Sequence, residues 1–418
     1  MIVLVFLIIM FLTSFVHMKK SLSTYMYLLF SLSLIGTYFL SPSRFFDSGL
    51  GVWGVLYLCA SLYLVISPWK YVNSTLLRKI SITTFESKVY NVLKIIGVLS
   101  LVINIIVIYF LNGMVSDYSA FKNGGESTFY YQRLPIPGFL NMLVGYLSPL
   151  MIVLLPYHFY YLSKGLLKEG MLSLILSLNY ILFGLATFSR STSATFILIY
   201  MFCFLLFNKT LPVKIKKLYT IVLLSCLSLA IISLVVITLN RFSGDSQWVA
   251  ESFFYEDTII KDPVITSVLS YFSQWYIYGS KFIENYNGST TQGVLSLPVL
   301  NLIMSRFFGL KYFSDQSVAK IVYDFYKDDT GAFMGVSSYM LNDLGLILTI
   351  FTLICYGKFI KKIRVKINSI SSQMILVNLM IFPILGIFSS ALHIISFHIT
   401  FYLTILIYLL NKKSTTIG

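Results

Sequence analysis

Three ionisable side chains stand inside or beside long apolar runs, where a charge is costly unless it has a partner or faces a cavity. Arg190 lies in LATFSRSTSATFILIYMF, Asp343 in SSYMLNDLGLILTI and His393 in SSALHIISFHITF. An arginine offers a planar fork of donors that grips phosphate, whereas an aspartate or a histidine can accept a proton from a hydroxyl. These residue types therefore suit phosphate binding and general-base catalysis.

Each of these residues also has an ordinary structural interpretation. Arg190 can mark a loop and extend its side chain to the membrane surface, as long basic side chains do. Asp343 can pair with Arg190, activate a hydroxyl, or cap and orient its helix. His393 is predicted to lie nearer the outer surface than His398, so it is the better candidate for a base, whereas His398 is expected to be a packing residue.

The longest polar connection, residues 240–336, is rich in aromatic side chains. Trp248, Trp275 and Tyr276 could stack on the apolar faces of sugar rings, and they would equally suit a membrane interface. Asp328 and Asp329 have no histidine or further carboxylate at ligand spacing, so no metal is expected. Because the chain has no phosphate-binding glycine loop and no dinucleotide fingerprint, we expect no cofactor.

The elements that must position these residues are eleven apolar runs, which approach the roughly 20 residues that a membrane-spanning helix needs. They cover residues 2–16, 22–40, 49–66, 89–111, 138–162, 171–188, 192–207, 218–239, 337–357, 374–390 and 394–410. With 57% hydrophobic and 11% charged residues, the composition excludes an ordinary soluble domain, which carries about 25% charge. The sequence predicts an all-α polytopic membrane protein with about eleven transmembrane helices.

Charge divides the connections between these runs into two classes. Twenty of the 31 Lys and Arg residues fall in alternate connections, where Glu86 and Glu169 are the only acids. By the positive-inside rule those connections are cytoplasmic, which puts the N-terminus outside and the C-terminus inside. The net charge of +15 is then explained by orientation in the bilayer, so nucleic acid is not expected as a partner.

This alternation predicts three parts. Residues 1–239 hold the first eight spans, 240–336 form one large outer loop with short amphipathic helices, and 337–418 hold the last three spans and a cytoplasmic tail. Within the loop, 316–327 has the apolar spacing of an amphipathic helix, and 263–282 is predicted to be an interfacial or re-entrant helix. If 263–282 crossed the membrane, the alternation of charge would fail.

This layout resembles the oligosaccharide repeat-unit polymerases of the O-antigen (Wzy) type. Three features carry the resemblance: the short apolar hairpin with a polar turn in 187–207, the single large outer loop late in the chain, and the stretch TGAFMGVSSYMLNDLGLILTIF that follows it. The resemblance implies a GT-C-like glycosyltransferase in the plasma (inner) membrane of a bacterium. It would polymerise undecaprenyl-diphosphate-linked oligosaccharides at the outer face, for O-antigen or capsule.

The resemblance also implies roles for individual residues. The substrate diphosphate would be bound by three arginines, Arg190, Arg241 and Arg306. Asp343 or His393 would be the base that accepts the proton of the attacking sugar hydroxyl, and the three loop aromatics would contact the glycan. The partners would be the lipid-linked oligosaccharides, the bilayer and a separate regulator of chain length.

Three alternatives stay open. A ligase that moves finished polymer to another acceptor would share the chemistry, but Ser337, Ser338 and Tyr339 stand where the ligases carry a histidine. A flippase of lipid-linked oligosaccharide would also have many spans, yet such transporters usually have short loops and related halves, and this chain shows neither. A scaffolding membrane protein would leave the charges of Arg190 and Asp343 without a use.

Overall fold

The structure is a computed structural model, and it describes most of the predicted spans and part of the long loop. The described residues are 1–18, 21–72, 80–114, 137–186, 190–207, 209–221, 228, 256–288, 335–365, 369–387 and 395–417, with short pieces of 290–309. Throughout these ranges the secondary structure is helical, and the one β contact is an isolated bridge between Ser81 and Ser369. The predicted all-α fold is confirmed for this part of the chain.

The α-helices are numbered in chain order. They are α1 Ile2–Met18, α2 Leu22–Leu40, α3 Pro42–Phe46, α4 Val52–Ile66, α5 Thr84–Met114, α6 Gly138–Leu150, α7 Leu155–Ser163, α8 Leu167–Ser177, α9 Asn179–Ala186, α10 Arg190–Phe207, α11 Pro263–Glu284, α12 Gly335–Val365, α13 Ile370–Leu385 and α14 Ile395–Ile417. Two 3₁₀ turns connect neighbouring helices, one at Ser67–Tyr71 after α4 and one at Met151–Leu154 between α6 and α7.

Six helical stretches in the described part of the chain are long and apolar enough to cross a membrane. They are Leu22–Leu40, Val52–Tyr71, Thr84–Phe110, Gly138–Ser163, Leu167–Ala186 and Gly335–Arg364. Shorter apolar helices cover Ile2–Val16, Thr192–Phe207 and Ile370–Leu385. Large apolar side chains on these helices point outward, as Ile95 and Ile347 do with 72% and 81% exposure, which water would penalise and lipid would cover. The chain is therefore a multi-pass membrane protein.

Three predicted spans are interrupted. The fifth is divided by the 3₁₀ turn between α6 and α7, next to Pro149 and Pro156, because proline removes a backbone donor and disrupts the α-helix around it. The sixth is divided into α8 and α9 before Asn179. The ninth was expected to be continuous, but its helix α12 has non-helical backbone at Gly345.

The chain folds into two compact units. The first consists of residues 1–73, 250–365 and 380–398, and the second of residues 74–249, 366–379 and 399–418. In the first unit α2 packs against α1 and α11, while α12 packs against α4 and α11. In the second unit α5 packs against α6 and α9, and α10 packs against α7 and α9. The units do not follow the three predicted parts, because each is built from distant segments of the chain.

The segment predicted to be an interfacial or re-entrant helix is α11. Pro263 occupies its first turn, and the side chain of Asp262 caps it by accepting a hydrogen bond from the Ile265 N–H at 2.9 Å. Just before the helix, the Ile259 N–H donates to the carbonyl of Phe39 near the end of α2. At its other end Ile283 lies against Gly54, in the first turn of α4. The two ends of α11 thus lie near the C-terminal end of α2 and the N-terminal end of α4, which the short connection 41–51 joins.

In the second unit, the buried side chain of Glu86 connects three helices through hydrogen bonds. Glu86 is one of the two acids predicted to be cytoplasmic. Thr83 and Glu86 form a capping box at the start of α5, because the Thr83 N–H donates to the Glu86 carboxylate and the Glu86 N–H donates to the Thr83 hydroxyl. The same carboxylate accepts from the Ser371 N–H at 2.8 Å and from Asn411 at 3.0 Å. One buried acid thereby joins α5 to α13 and α14.

Candidate functional site

The break in α12 brings polar groups together inside an otherwise apolar helix. Gly345 has φ 71° and ψ −179°, a backbone conformation that is essentially restricted to glycine. A Cβ at this position would lie 3.3 Å from Thr290 Cγ2 and 3.4 Å from the Tyr286 hydroxyl, so the loop segment after α11 lies directly against the break. An interrupted membrane helix leaves backbone carbonyls and N–H groups to be satisfied by such neighbours.

Asp343 lies just before the break and is fully buried. Its Oδ1 accepts a hydrogen bond from the Thr291 hydroxyl at 2.5 Å, and its Oδ2 accepts one from the Ser296 N–H at 2.6 Å. A buried carboxylate is tolerated only where such donors replace water. Asp343 therefore has a direct structural task, which is to hold Thr291 and Ser296 against α12.

Backbone hydrogen bonds join the same two segments. The Thr291 N–H donates to the carbonyl of Asn342, and the Gly293 N–H donates to the carbonyl of Asp343, both at 3.0 Å. The Thr349 hydroxyl donates to the carbonyl of Met340 at 2.8 Å and so satisfies a carbonyl before the break. Carbonyls in the first half of α12 thus accept hydrogen bonds from the loop and from the second half of the helix.

The amide of Asn342 is the unsatisfied group of this cluster. The residue is 2% exposed, and its Nδ2 finds no acceptor among the described residues. A buried donor without an acceptor costs about 1–3 kcal/mol, so such an atom marks a place where a further acceptor is missing. We call Tyr286, Thr291, Ser296, Asn342 and Asp343 the helix-break site.

Further polar contacts fix the first half of α12 within the first unit. The Tyr57 hydroxyl donates to the carbonyl of Ser337 at 2.7 Å, and the Ser61 hydroxyl donates to the Ser337 hydroxyl at 2.8 Å. The Ser338 hydroxyl donates to the carbonyl of Gly279 on α11 at 3.1 Å. The helix-break site therefore rests on a half-helix that α4 and α11 hold in place.

The two described aromatic residues of the predicted glycan contact are packing residues in this structure. Trp275 and Tyr276 are 2% and 1% exposed. The Trp275 indole donates to the Ser33 hydroxyl at 2.5 Å, and its ring meets Phe30 edge-on with centroids 5.2 Å apart. On its other side it lies against Gly335, where a Cβ would come within 2.7 Å of the Trp275 Cβ. Neither ring has a free face for a sugar, and their part in glycan binding stays a prediction.

The other predicted site residues fall outside the described part of the chain. Arg241, Trp248, Arg306 and His393 are not among the described residues. Arg190 is the first residue of α10, so its backbone begins that helix, but its side chain is outside the description as well. The predicted amphipathic helix 316–327 lies outside it too. The diphosphate clamp and the second candidate base therefore stay predictions.

Two polar clusters in the second unit are explained by packing. His158 is buried, with Nδ1 at 2.7 Å from the carbonyl of Gly170 and Nε2 at 3.2 Å from the Tyr200 hydroxyl. Asn104 donates to Ser148 at 3.1 Å and to the side-chain oxygen of Asn179 at 3.2 Å. These contacts join neighbouring helices across the unit, which is the usual part of polar side chains inside membrane bundles.

Sequence reasoning identified Asp343, but it did not predict its contacts with Thr291 and Ser296. Thr291 and Ser296 belong to a polar loop in which many residues are equally able to form hydrogen bonds. The break itself had a local signal, because Asn-Asp followed two residues later by glycine is a turn-forming pattern inside an apolar run. The described residues contain no group of three metal-binding side chains.

Comparison with known protein families, with curated proteins and with solved structures finds no match to this chain.

Proposed function

We propose that the protein is a glycosyltransferase of the bacterial plasma membrane that polymerises undecaprenyl-diphosphate-linked oligosaccharide repeat units at its outer face. The observation that supports this most directly is the helix-break site. There a buried carboxylate, and a buried amide that finds no acceptor in the described part of the chain, lie beside a loop segment that is predicted to be on the outside. A site of this composition suits hydroxyl-rich ligands, because it offers a proton acceptor and a donor together.

The reaction would transfer the growing glycan from its lipid diphosphate to an incoming repeat unit. A sugar hydroxyl of the incoming unit attacks the anomeric carbon of the growing chain, and a carbon–oxygen bond forms while the bond to the diphosphate breaks. The hydroxyl proton passes to a base, for which Asp343 and His393 are the candidates. The diphosphate leaves with its charge balanced by cations, which is the role proposed for Arg190, Arg241 and Arg306.

A transporter of lipid-linked oligosaccharide is the second candidate, and one observation favours it. Interrupted helices with polar residues at the interruption are the usual way in which transporters build a binding site within the bilayer. The break of α12 at Gly345 and the division between α8 and α9 before Asn179 have this form. A ligase would share the glycosyl transfer and differ only in its acceptor.

The deciding experiment is a gel of surface and lipid-linked glycans from a strain that lacks the gene. We expect the ladder of polymers to collapse to a single-repeat band, because repeats would still be made and moved outward but not joined. Repeats confined to the cytoplasmic face would instead identify a transporter. Long polymer left on its lipid carrier would identify a ligase.

The roles of the two candidate bases can be separated with variants in the same strain. Asp343→Asn keeps the shape of the side chain and an oxygen for the Ser296 N–H, but it removes the proton acceptor. If Asp343 is the base, polymerisation should fall by a factor of about 10² or more while the protein is made at the normal level. His393→Gln is the matched test of the other candidate. Full-length ladders in both variants would remove the base assignment from both residues.

The diphosphate assignment is tested by Arg190→Ala, with Arg44→Ala as the matched control. Both changes remove one arginine that the sequence places on the outer side, but Arg44 was given no part in substrate binding. We expect Arg190→Ala to shorten or abolish the ladder and Arg44→Ala to leave it unchanged. Full activity of Arg190→Ala at a normal protein level would remove Arg190 from the proposed clamp.

A further inference from the structure

The 3₁₀ turn Ser67–Tyr71 is fixed against the last turns of α12. Trp69 is fully buried, and its indole donates to the Tyr356 hydroxyl at 3.0 Å. Pro68 lies so close to Gly357 that a Cβ there would be 3.0 Å from its Cγ. Tyr71, at the end of the turn, is thereby held beside the basic C-terminal end of α12.

Three basic side chains converge on the Tyr71 ring. Lys70 Nζ and Lys361 Nζ each lie 4.9 Å from the ring centroid, and Arg364 Cζ lies 5.4 Å from it. Since each lies within 5.4 Å of one ring centroid, no two of them are separated by much more than the Debye length at 0.1 M salt, roughly 10 Å. Lys358 and Lys362 add two exposed positive charges nearby on α12. We call Lys70, Tyr71, Lys361 and Arg364 the basic-aromatic cluster.

No carboxylate of the described part of the first unit balances this cluster. The acids of that part are Asp47, Glu256, Asp257, Asp262, Glu284 and Asp343. Asp343 has both carboxylate oxygens engaged at the helix break, and Asp257 is bound to Ser41 and Ser43 just beyond α2. Glu284 lies over Gly49, before α4, whereas the cluster follows the other end of that helix. The 15 residues of α4 separate these ends by about 20 Å, so an anion for the cluster must come from elsewhere.

The exposed surface of α12 next to the basic-aromatic cluster indicates which class of anion fits the cluster. Five residues at alternating spacings of four and three face outward on one side of the helix: Ile347, Phe351, Ile354, Lys358 and Lys361. The first three are apolar and 81%, 61% and 40% exposed, and the last two are basic. This face therefore changes from a surface for hydrocarbon to a surface for phosphate, in the order in which a phospholipid presents its acyl chains and headgroup.

We infer that the basic-aromatic cluster binds the phosphate of an anionic glycerophospholipid whose acyl chains lie along the exposed apolar face of α12. Arg364 supplies a planar fork of donors for the phosphate oxygens, and the two lysines supply charge on either side. Tyr71 keeps the three cations gathered through the negative face of its ring. The site is separate from the helix-break site and does not depend on the proposed reaction.

The test measures lipid binding by the purified full-length protein. The protein is delipidated in detergent and titrated with phosphatidylglycerol or phosphatidylcholine, and bound lipid is counted by native mass spectrometry. The variant carries Lys70→Gln, Lys361→Gln and Arg364→Gln together. We expect its affinity for phosphatidylglycerol to fall roughly tenfold to a hundredfold, with no change for phosphatidylcholine. The binding of phosphatidylglycerol to the unchanged protein should also weaken as salt is raised.

The matched control is a variant that loses three positive charges from a different part of the protein. Lys214→Gln, Lys216→Gln and Lys217→Gln together neutralise three exposed lysines of the second unit, which the sequence also predicts to be cytoplasmic. An equal loss of phosphatidylglycerol binding in both triple variants would overturn the inference, because net charge alone would then explain the binding. Displacement of the lipid by millimolar inorganic phosphate would also overturn it, since the site would then take a free anion.

Tyr71→Leu keeps every charge and should weaken phosphatidylglycerol binding if the ring gathers the cations.

Discussion

At the scale of single residues, Asp343 shows how donors from a distant segment of the chain hold a buried carboxylate in a membrane protein. Its two oxygens receive a hydroxyl and a backbone N–H, and these donors belong to a segment about fifty residues earlier in the chain. A carboxylate has about four acceptor positions, so accepting these two hydrogen bonds does not by itself prevent it from accepting a hydroxyl proton. The structural and the catalytic interpretation of this residue are therefore compatible, and the Asp343→Asn variant separates them by activity.

A second carboxylate, Asp257, gives a prediction about pH. Burial of this side chain opposes its ionisation, but hydrogen bonds from the hydroxyl and N–H of Ser43 and from the Ser41 hydroxyl outweigh that effect and hold the pKa of the carboxyl below its usual range. A lowered pKa in the folded state stabilises the protein above the pKa of the unfolded chain, about 3.9. This contribution is lost as the pH falls through the lower pKa of the folded state.

We expect Asp257→Asn to lower the free energy of unfolding by at most about 1 kcal/mol at pH 7, because the site is partly open to solvent. The difference from the unchanged protein should shrink as the pH falls below about 4. Unfolding in detergent, followed by tryptophan fluorescence between pH 3 and 7, measures it. Glu256→Gln, which removes one exposed negative charge beside Asp257, is the control. A difference that is constant with pH would contradict the assignment.

At the scale of elements, α12 depends on one glycine. The first half of the helix carries Asn342 and Asp343, and the second half carries the basic residues near Tyr71. The non-helical backbone at Gly345 lets the N–H groups of Thr291 and Gly293 reach carbonyls that an unbroken helix would have used internally. The break is therefore what makes the helix-break site possible.

Gly345→Ala tests this dependence. A side chain at φ 71° and ψ −179° is strained, and its Cβ would also lie close to Thr290 and Tyr286, so we expect a loss of about 1–3 kcal/mol in the free energy of unfolding. Gly51→Ala is the matched control in the same unit, because Gly51 has φ −61° and no atom near its Cβ position. Thermal unfolding of the purified variants compares them. Equal stability of the two variants would show that the break imposes no strain.

The sequence predicted the helices well where local pattern decides them. The apolar runs 22–40 and 138–162 match α2 and the α6–α7 pair, and the helix expected at 263–282 is α11. Local pattern could not predict which face of α11 would be covered, because its partner Ser33 lies more than two hundred residues earlier. In the structure Trp275 packs against α2, while its contact with a glycan stays a prediction.

At the scale of the whole molecule, the described helices make this a multi-pass membrane protein with two compact units. Charge alternation predicted eleven crossings with the long loop outside. This prediction requires that α11 does not cross the membrane, because one more crossing would reverse the side of every later connection. The two ends of α11 lie beside the α2–α4 connection, which favours the interfacial or re-entrant arrangement over a crossing. This geometry makes the topology testable at two positions.

We expect Lys261→Cys and Asn285→Cys, exposed at the two ends of α11, to react equally with a membrane-impermeant maleimide applied from outside. Both variants are made in a chain whose four native cysteines are replaced. Lys214→Cys, predicted to be cytoplasmic, should react only after the membrane is opened. If only one of the two α11 positions reacts from outside, the helix crosses the membrane and the predicted parity is wrong.

The contact between Ser33 and Trp275 also has a consequence for biosynthesis. The two residues are 242 positions apart, and ribosomes add about 5–20 residues each second. The surface of α2 around Ser33 and Gly36 must therefore wait roughly 10–50 seconds for the helix that covers it. A chain released before α11 is made would keep this surface bare, and the cell's quality-control proteases would have a means of telling unfinished molecules from complete ones.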